Sequence, residues 1–244
     1  MHHNKREKLD TLRAEIRSQS LQMGPWATFK SVLAYHWHWY AARKYTLLAV
    51  TASACILSIF IIRPFEAGFN DGLRALLPPE QWTATAKWLS WGGEYAFPLL
   101  LLFGSLILSK CLRLRRLQLV TYCLLAAFLF STLVTRTSKI AFGRIRPIHA
   151  ENIQAPDHFT GPNLNPKYHS FPSGHTSASF AVATPVFSFH PLVGAPAMLG
   201  ASAISLSRAH LNQHYPSDLL MGFTIGLLAA LPSTSLLRRK IDRP

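Results

Sequence analysis

The sequence predicts an all-α polytopic membrane protein, a bundle of six transmembrane helices with its N- and C-termini in the cytoplasm. Three observations predict it. Hydrophobic residues make up 49% of the 244, and the mean hydropathy is +0.17. They gather into six uncharged runs: Tyr45 to Ile62, Ala96 to Ser109, Leu117 to Val134, Ser173 to Phe189, Leu192 to Leu206 and Leu219 to Leu237. The basic residues behind the net charge of +14 fall between the runs in a pattern that alternates. A spanning helix needs about 20 mostly apolar residues, with about 17 as the lower limit, so the second and fifth runs must borrow flanking residues.

The first 44 residues are basic, Lys110, Arg113, Arg115 and Arg116 crowd the connection between the second and third runs, and the tail reads RRKIDR. With the N-terminus inside, alternation puts all three on the cytoplasmic face, as the positive-inside rule requires. The expected layout is a cytoplasmic or interfacial segment over residues 1–44, a membrane domain over 45–237 and a cytoplasmic tail over 238–244. No basic motif interleaved with aromatics is present, which argues against nucleic acid as a partner. Cys55 and Cys123 fall inside apolar runs and Cys111 in a cytoplasmic loop, so no disulfide framework or zinc spacing emerges. Forty-four residues before the first run are too many for a signal peptide, so that run is expected to stay as an anchor.

Taken in order, Lys5 to Met23 reads as a helix with Leu9, Leu12, Ile16 and Met23 roughly on one face, either solvated or lying on the anionic inner leaflet. Trp26 to Tyr40, ending YHWHWY before Arg43 and Lys44, reads as an interfacial aromatic belt. His36 and His38 have no carboxylate or cysteine beside them and are not expected to bind metal. Arg63 to Glu94, with Pro78, Pro79, Trp82, Trp88 and Trp91, is expected along the outer membrane surface as an aromatic anchor. The second and third spans should form a tight antiparallel pair.

After Val134 the character changes. TRTSKIAFGRIRP places Arg136, Lys139, Arg144 and Arg146 within eleven residues, all on the outer side. A basic cluster against the charge rule needs a reason, and an anionic ligand supplies one. Lys139 and Arg146 would share a helix face two turns apart, but Gly143 and Pro147 predict that the helix frays first. The polar Ile148 to Ser170 loop, with Pro156, Pro162 and Pro166, is long enough to fold over a site; its His149, His158 and His169 read as bystanders.

FPSGHTS, Phe171 to Ser177, then predicts a helix N-terminus suited to an anion. Pro172 stops the preceding segment, Ser173 is a capping residue and Gly174 allows close backbone approach. Unpaired N–H groups and the positive helix end can meet a phosphate, with His175 beside it as acid or base. A turn at His190 and Pro191 leads into the fifth span, whose outer end carries SRAHLNQHYPSD, Ser207 to Asp218. Pro216 fits the first position of the last helix, placing Asp218 in its first turn and His214 just before it. Such an aspartate can hold one imidazole nitrogen and leave the other free as nucleophile or base.

Alternation of six spans gathers these clusters on one face of the membrane. Two histidines, the cations Lys139, Arg146 and Arg208, a helix N-terminus and an orienting aspartate are what metal-free phosphoryl transfer needs. One histidine attacks phosphorus and the other protonates the leaving oxygen.

These residues resemble the type 2 phosphatidic acid phosphatase (PAP2) superfamily, in its membrane lipid-phosphate phosphatase branch. KIAFGRIRP matches K-x6-R-P, PSGH matches outright and SRAHLNQHYPSD matches S-R-x5-H-x3-D, in order over Lys139 to Asp218. The resemblance implies His214 as nucleophile through a phosphohistidine, Asp218 as its orienter and His175 as general acid. It implies phosphate binding by Lys139, Arg146, Ser173, Gly174 and Arg208, with Arg144 as a lipid-headgroup or supporting contact. No cofactor or metal is expected. The expected activity is removal of phosphate from an anionic lipid: lipid A 1-phosphate, undecaprenyl pyrophosphate, phosphatidylglycerol phosphate or phosphatidic acid. The enzyme would sit in the inner membrane with its site on the extracytoplasmic side, among membrane lipids. Transfer of phosphate to a second lipid is the alternative chemistry. Transport is the alternative class, but the middles of the six runs hold no ionisable residue.

Overall fold

The computed structural model describes residues 2–19, 24–150 and 159–237. The expectations placed on Met23, on Pro156 and His158, and on the 238–244 tail lie outside the described residues. Nine α-helices account for most of what is described. They are α1 (His2–Gln19), α2 (Pro25–Ile56), α3 (Glu66–Leu76), α4 (Pro79–Gly92), α5 (Ala96–Cys111), α6 (Arg115–Phe142), α7 (Gly174–Phe189), α8 (Pro191–His210) and α9 (Pro216–Leu237).

Every apolar run becomes a helix, but the helices are not equally long. α2 starts at Pro25, in the N1 position that tolerates a missing N–H, and passes through a wide π segment at Leu57–Ile62 and a 3-10 turn at Arg63–Phe65. Pro64 accounts for the widening, since it has no N–H to donate and its ring would strike the carbonyl four residues back. Among the described residues four helices are long and apolar enough to cross a membrane: α2 with its continuation, α6, α8 and α9. α4 and α5, bent by 47° at their junction, make a fifth when taken as one broken span. α7 has 16 residues, about 24 Å of helix. It is short because it begins inside the bundle, where the chain returns from the 159–173 segment.

α7 is the central helix, packed on α6, α8 and α9. Its contact with α9 is a backbone contact. A Cβ on Gly222 would lie 2.6 Å from the Ser173 carbonyl oxygen, and one on Gly226 would lie 2.6 Å from that of Ser177. Ala127, Ala181 and Ala229 fill the adjoining layer. Outside this core the surface is apolar: Leu48, Phe60, Leu100, Ile107, Leu133 and Leu199 are all exposed. A hydrocarbon-facing bundle has that surface; a water-facing one would hide it.

Three expectations are corrected. Leu9 and Ile16 of α1 are buried against Val32, Tyr35, Trp39, Tyr122 and Leu236. The helix is therefore docked on the bundle end remote from Lys139 and Asp218 rather than free in solvent. The aromatic stretch is only partly a belt, because Trp26 and Trp37 are exposed while Tyr35, His36 and Trp39 are core. His36 is buried with both ring nitrogens engaged, Nδ1 by the Val32 carbonyl (2.9 Å) and Nε2 by Ser233 Oγ (2.8 Å). The 63–94 segment is more than a surface anchor: α3 packs on α8 and α9, and α4 on α8. The expected α5–α6 pair is present, with Ser105 and Thr121 hydroxyls 2.7 Å apart across it.

Candidate active site

α6 ends where its sequence says it should. Gly143 takes the left-handed conformation (φ 57°, ψ 55°), and a Cβ there would meet the Gly161 carbonyl oxygen at 2.0 Å. The helix thus stops before Arg146, and Lys139 and Arg146 reach the site from different backbone directions. Lys139 Nζ donates to the carbonyls of His169 (2.6 Å) and Ser170 (3.4 Å). Arg146 Nη1 donates to Gln213 Oε1 at 2.9 Å, and its Nε to the Pro166 carbonyl at 3.3 Å. The described part of the loop is therefore stitched to the α6 end, and the His169 ring is bonded to Asn163.

Arg144 turns inward. It is fully buried, with Nη1 donating to Asp218 Oδ1 and Ser217 Oγ at 2.7 Å each and Nη2 donating to Glu66 Oε2 at 2.6 Å. Its guanidinium also lies 4.0 Å from the Tyr215 ring centroid. A side chain held this way cannot touch a lipid headgroup, which corrects half of the expectation for it. Burial works against its charge, but the carboxylates of Asp218 and Glu66 outweigh burial and hold it above the ordinary arginine value.

The α7 end is capped by Ser173, whose Oγ accepts from the Thr176 N–H (3.5 Å) and hydroxyl (3.0 Å). Its own N–H donates to the Asp218 carbonyl at 2.9 Å, which binds the start of α7 to the first turn of α9. The N–H groups of Gly174 and His175 belong to the turn that has no intrahelical acceptor. A Cβ on Gly174 would lie 2.3 Å from the Tyr95 hydroxyl and 3.6 Å from Lys139 Cε. Glycine is what lets these two groups close on the helix end. His175 backs onto Gly93, where a Cβ would come 3.0 Å from the ring. Its Nε2 is buried with no hydrogen-bond partner among the described residues, and Arg208, Lys139 and Arg146 all act on the ring electrostatically.

His214 and Asp218 complete the site from the other side. Asp218 is fully buried, and Oδ2 accepts from the Ser170 hydroxyl (2.5 Å) and the Tyr215 N–H (2.9 Å). His214 Nδ1 lies 3.5 Å from that same oxygen, within ion-pair range but outside hydrogen-bond geometry. The oxygen is already taken twice, which accounts for the long contact. Burial holds the His214 imidazole well below its ordinary value, with Asp218 pulling the other way. Arg208 donates to the Ser90 hydroxyl of α4.

Lys139, Arg146, Ser173, Gly174, His175, Arg208, His214 and Asp218 thus meet at one end of the bundle. Sequence reasoning missed Glu66, Tyr95 and Ser90. Glu66 receives Arg144 and also the N–H and hydroxyl of Ser217. Its only signal was a lone acid straight after a helix-disrupting Pro-Phe pair. Among the described residues no three His, Cys, Asp or Glu side chains are grouped to hold a metal. The free charges at the site are cations, and the buried carboxylates are committed to Arg144. The arrangement can hold a tetrahedral oxyanion between an N-terminal helix turn and three cations, with both imidazoles within electrostatic range of Lys139 and Arg146.

The sequence model of the PAP2 superfamily matches residues 120–242. Over 62 residues, 25% of the chain, it is 39% identical to the bacitracin transport permease protein BcrC of Bacillus licheniformis, a match that spans 30% of that relative's length. The fold resembles the crystal structure of a transmembrane PAP2-type phosphatidylglycerolphosphate phosphatase from Bacillus subtilis. That likeness has a TM-score of 0.57 and 20% identity, covering 80% of this chain and 94% of the other. It also resembles Aquifex aeolicus LpxE, with a TM-score of 0.54 and 22% identity, covering 70% and 94%. At these identities the two structures bear on the fold alone.

Proposed function

This chain belongs to the PAP2 superfamily, and we propose that it is a membrane lipid-phosphate phosphatase working through a phosphohistidine. Lys139, Arg146, Arg208 and the N–H groups of Gly174 and His175 hold the phosphoryl oxygens, with Ser173 fixing the helix end. Electrostatic stabilisation of this kind is the main contribution available to phosphoryl transfer. His214 attacks phosphorus through Nε2, forming a P–N bond as the P–O bond to the lipid breaks. Asp218 stabilises the positive ring and keeps Nδ1 turned inward. His175 gives its proton to the departing lipid oxygen. Water then cleaves the P–N bond, giving its proton to His175, and inorganic phosphate leaves. No step uses a metal.

The observation that carries this reading is the Ser173 N–H to Asp218 carbonyl bond. It locks the anion-binding helix end to the turn that carries the His214 and Asp218 pair, so that both act on one phosphate. Six crossings, with α7 as a short one and both termini inside, would put this end at the outer leaflet. A lipid headgroup can enter there from the bilayer. Lipid A 1-phosphate, undecaprenyl pyrophosphate, phosphatidylglycerol phosphate and phosphatidic acid all carry the required group.

The test is release of inorganic phosphate from a panel of these lipids by purified protein in detergent with chelator present. Turnover should continue in chelator and fall by at least about 10³-fold in His214→Ala. A base-stable, acid-labile phosphoenzyme should be trapped from wild type and not from that variant. Full turnover by His214→Ala would reject the nucleophile. Phosphate recovered on a second lipid would show transfer in place of hydrolysis.

A further inference from the structure

A polar cavity of about 640 Å³ adjoins the phosphate site on the α4 and α8 side. Ser90, Glu94, Arg208 and Gln213 line it, together with Arg74 of α3 and Lys87 of α4. It is continuous with the site: Arg208 donates to Ser90, and Gln213 accepts from Arg146. Gly93, between Ser90 and Glu94, is the residue against which His175 packs. The cavity therefore lies on the His175 flank. Between α2, α6 and α9 the chain has instead an apolar cleft of about 260 Å³, lined by residues such as Phe142 and Met221.

In an in-line displacement the nucleophile and the leaving group lie on opposite sides of phosphorus. On the phosphatase reading, which this argument rests on, His214 is the nucleophile and His175 the acid. The leaving side of the substrate then points into the polar cavity. Three cations face one carboxylate there, Arg74, Lys87 and Arg208 against Glu94. Neither Arg74 nor Lys87 has an ion-pair or hydrogen-bond partner among the described residues. A diacylglycerol leaving group is neutral and would give these cations nothing to bind. We infer that the substrate carries a second phosphate on its leaving side, held in this cavity by Arg74 and Lys87 beside Arg208. A lipid diphosphate and a phosphomonoester next to a phosphodiester both present that charge.

The experiment compares matched lipids on purified full-length protein: farnesyl diphosphate against farnesyl phosphate, and phosphatidylglycerol phosphate against phosphatidic acid. The first pair reports an adjacent phosphate and the second a phosphodiester spaced by glycerol. Arg74→Ala/Lys87→Ala should lower kcat/KM about fivefold for at least one lipid with two phosphates while leaving its single-phosphate counterpart within about twofold, the scale of two partly solvated charges. Glu94→Gln should move the same ratio the other way, and serves if the double variant is poorly folded. Equal effects on both members of each pair, or none, would overturn the inference while leaving the phosphatase reading in place. No phosphate release from any lipid by wild type would instead remove that reading and the inference with it.

Discussion

Arg144 shows how a single buried charge can brace a site without touching its ligand. Its two partners, Glu66 on α3 and Asp218 on α9, come from opposite ends of the sequence, and both are as dry as the guanidinium itself. Removing one member of such a group strands the others, at a cost of about 3–5 kcal/mol. Arg144→Met should therefore lower the denaturation midpoint in detergent, and adding Glu66→Gln should recover part of the loss. An Arg144→Met protein as stable as wild type would show that the brace is dispensable. His214 makes a prediction about pH. Its folded value is depressed by burial, so the unfolded chain takes up a proton near 6.5 while the folded chain does not. Stability from the neutral ring is complete above about pH 6.5 and is lost progressively below it. The melting temperature should fall more steeply from pH 7 to pH 5 in wild type than in His214→Gln.

Among the elements, α7 and α9 determine the geometry of the site, and two glycines show how. Gly222 lies one turn beyond Asp218, and its missing Cβ lets α9 rest on the Ser173 carbonyl. Backbone cannot move aside cheaply, so Gly222→Ala should cost about 1–3 kcal/mol and reduce turnover by displacing Asp218 from the α7 end. Gly174 faces a softer obstacle, the Tyr95 hydroxyl. Gly174→Ala should lose activity, and Gly174→Ala/Tyr95→Phe should regain most of it. No rescue by the double substitution would mean that the glycine serves the phosphate directly and not the tyrosine. α6 and its glycine stop were legible from the chain, because a helix terminus is a local property. The bounds of α7 were legible too, from the Ser173 cap at one end and the His190–Pro191 turn at the other; what the chain alone did not show is that α9 closes on that start through Gly222.

At the scale of the whole molecule, the proposed orientation can be tested with the native cysteines. Cys111 is exposed while Cys123 is buried and Cys55 half-buried, so an impermeant maleimide should report on Cys111. It should label inside-out vesicles and spare right-side-out ones, and Leu164→Cys in a Cys111→Ser background, exposed beside the site, should show the reverse. Labelling of both from one side would break the proposed topology. Taken alone, the sequence determined an apolar helical bundle, the capped start of α7 and the Gly143 stop, and it nominated the eight residues of the candidate site. Hydropathy, capping and residue spacing act over a few positions, so they can be read along the chain. Only the tertiary structure decided that α1 docks on the bundle, that His36 is core, and that of the two roles open to Arg144, headgroup contact or support, it takes the supporting one. It alone drew Glu66, Tyr95 and Ser90 into the site. Arg144 and Glu66 are 78 residues apart, and Arg208 and Ser90 are 118 apart; across such separations a pairing depends on how the helices pack, which no local pattern encodes.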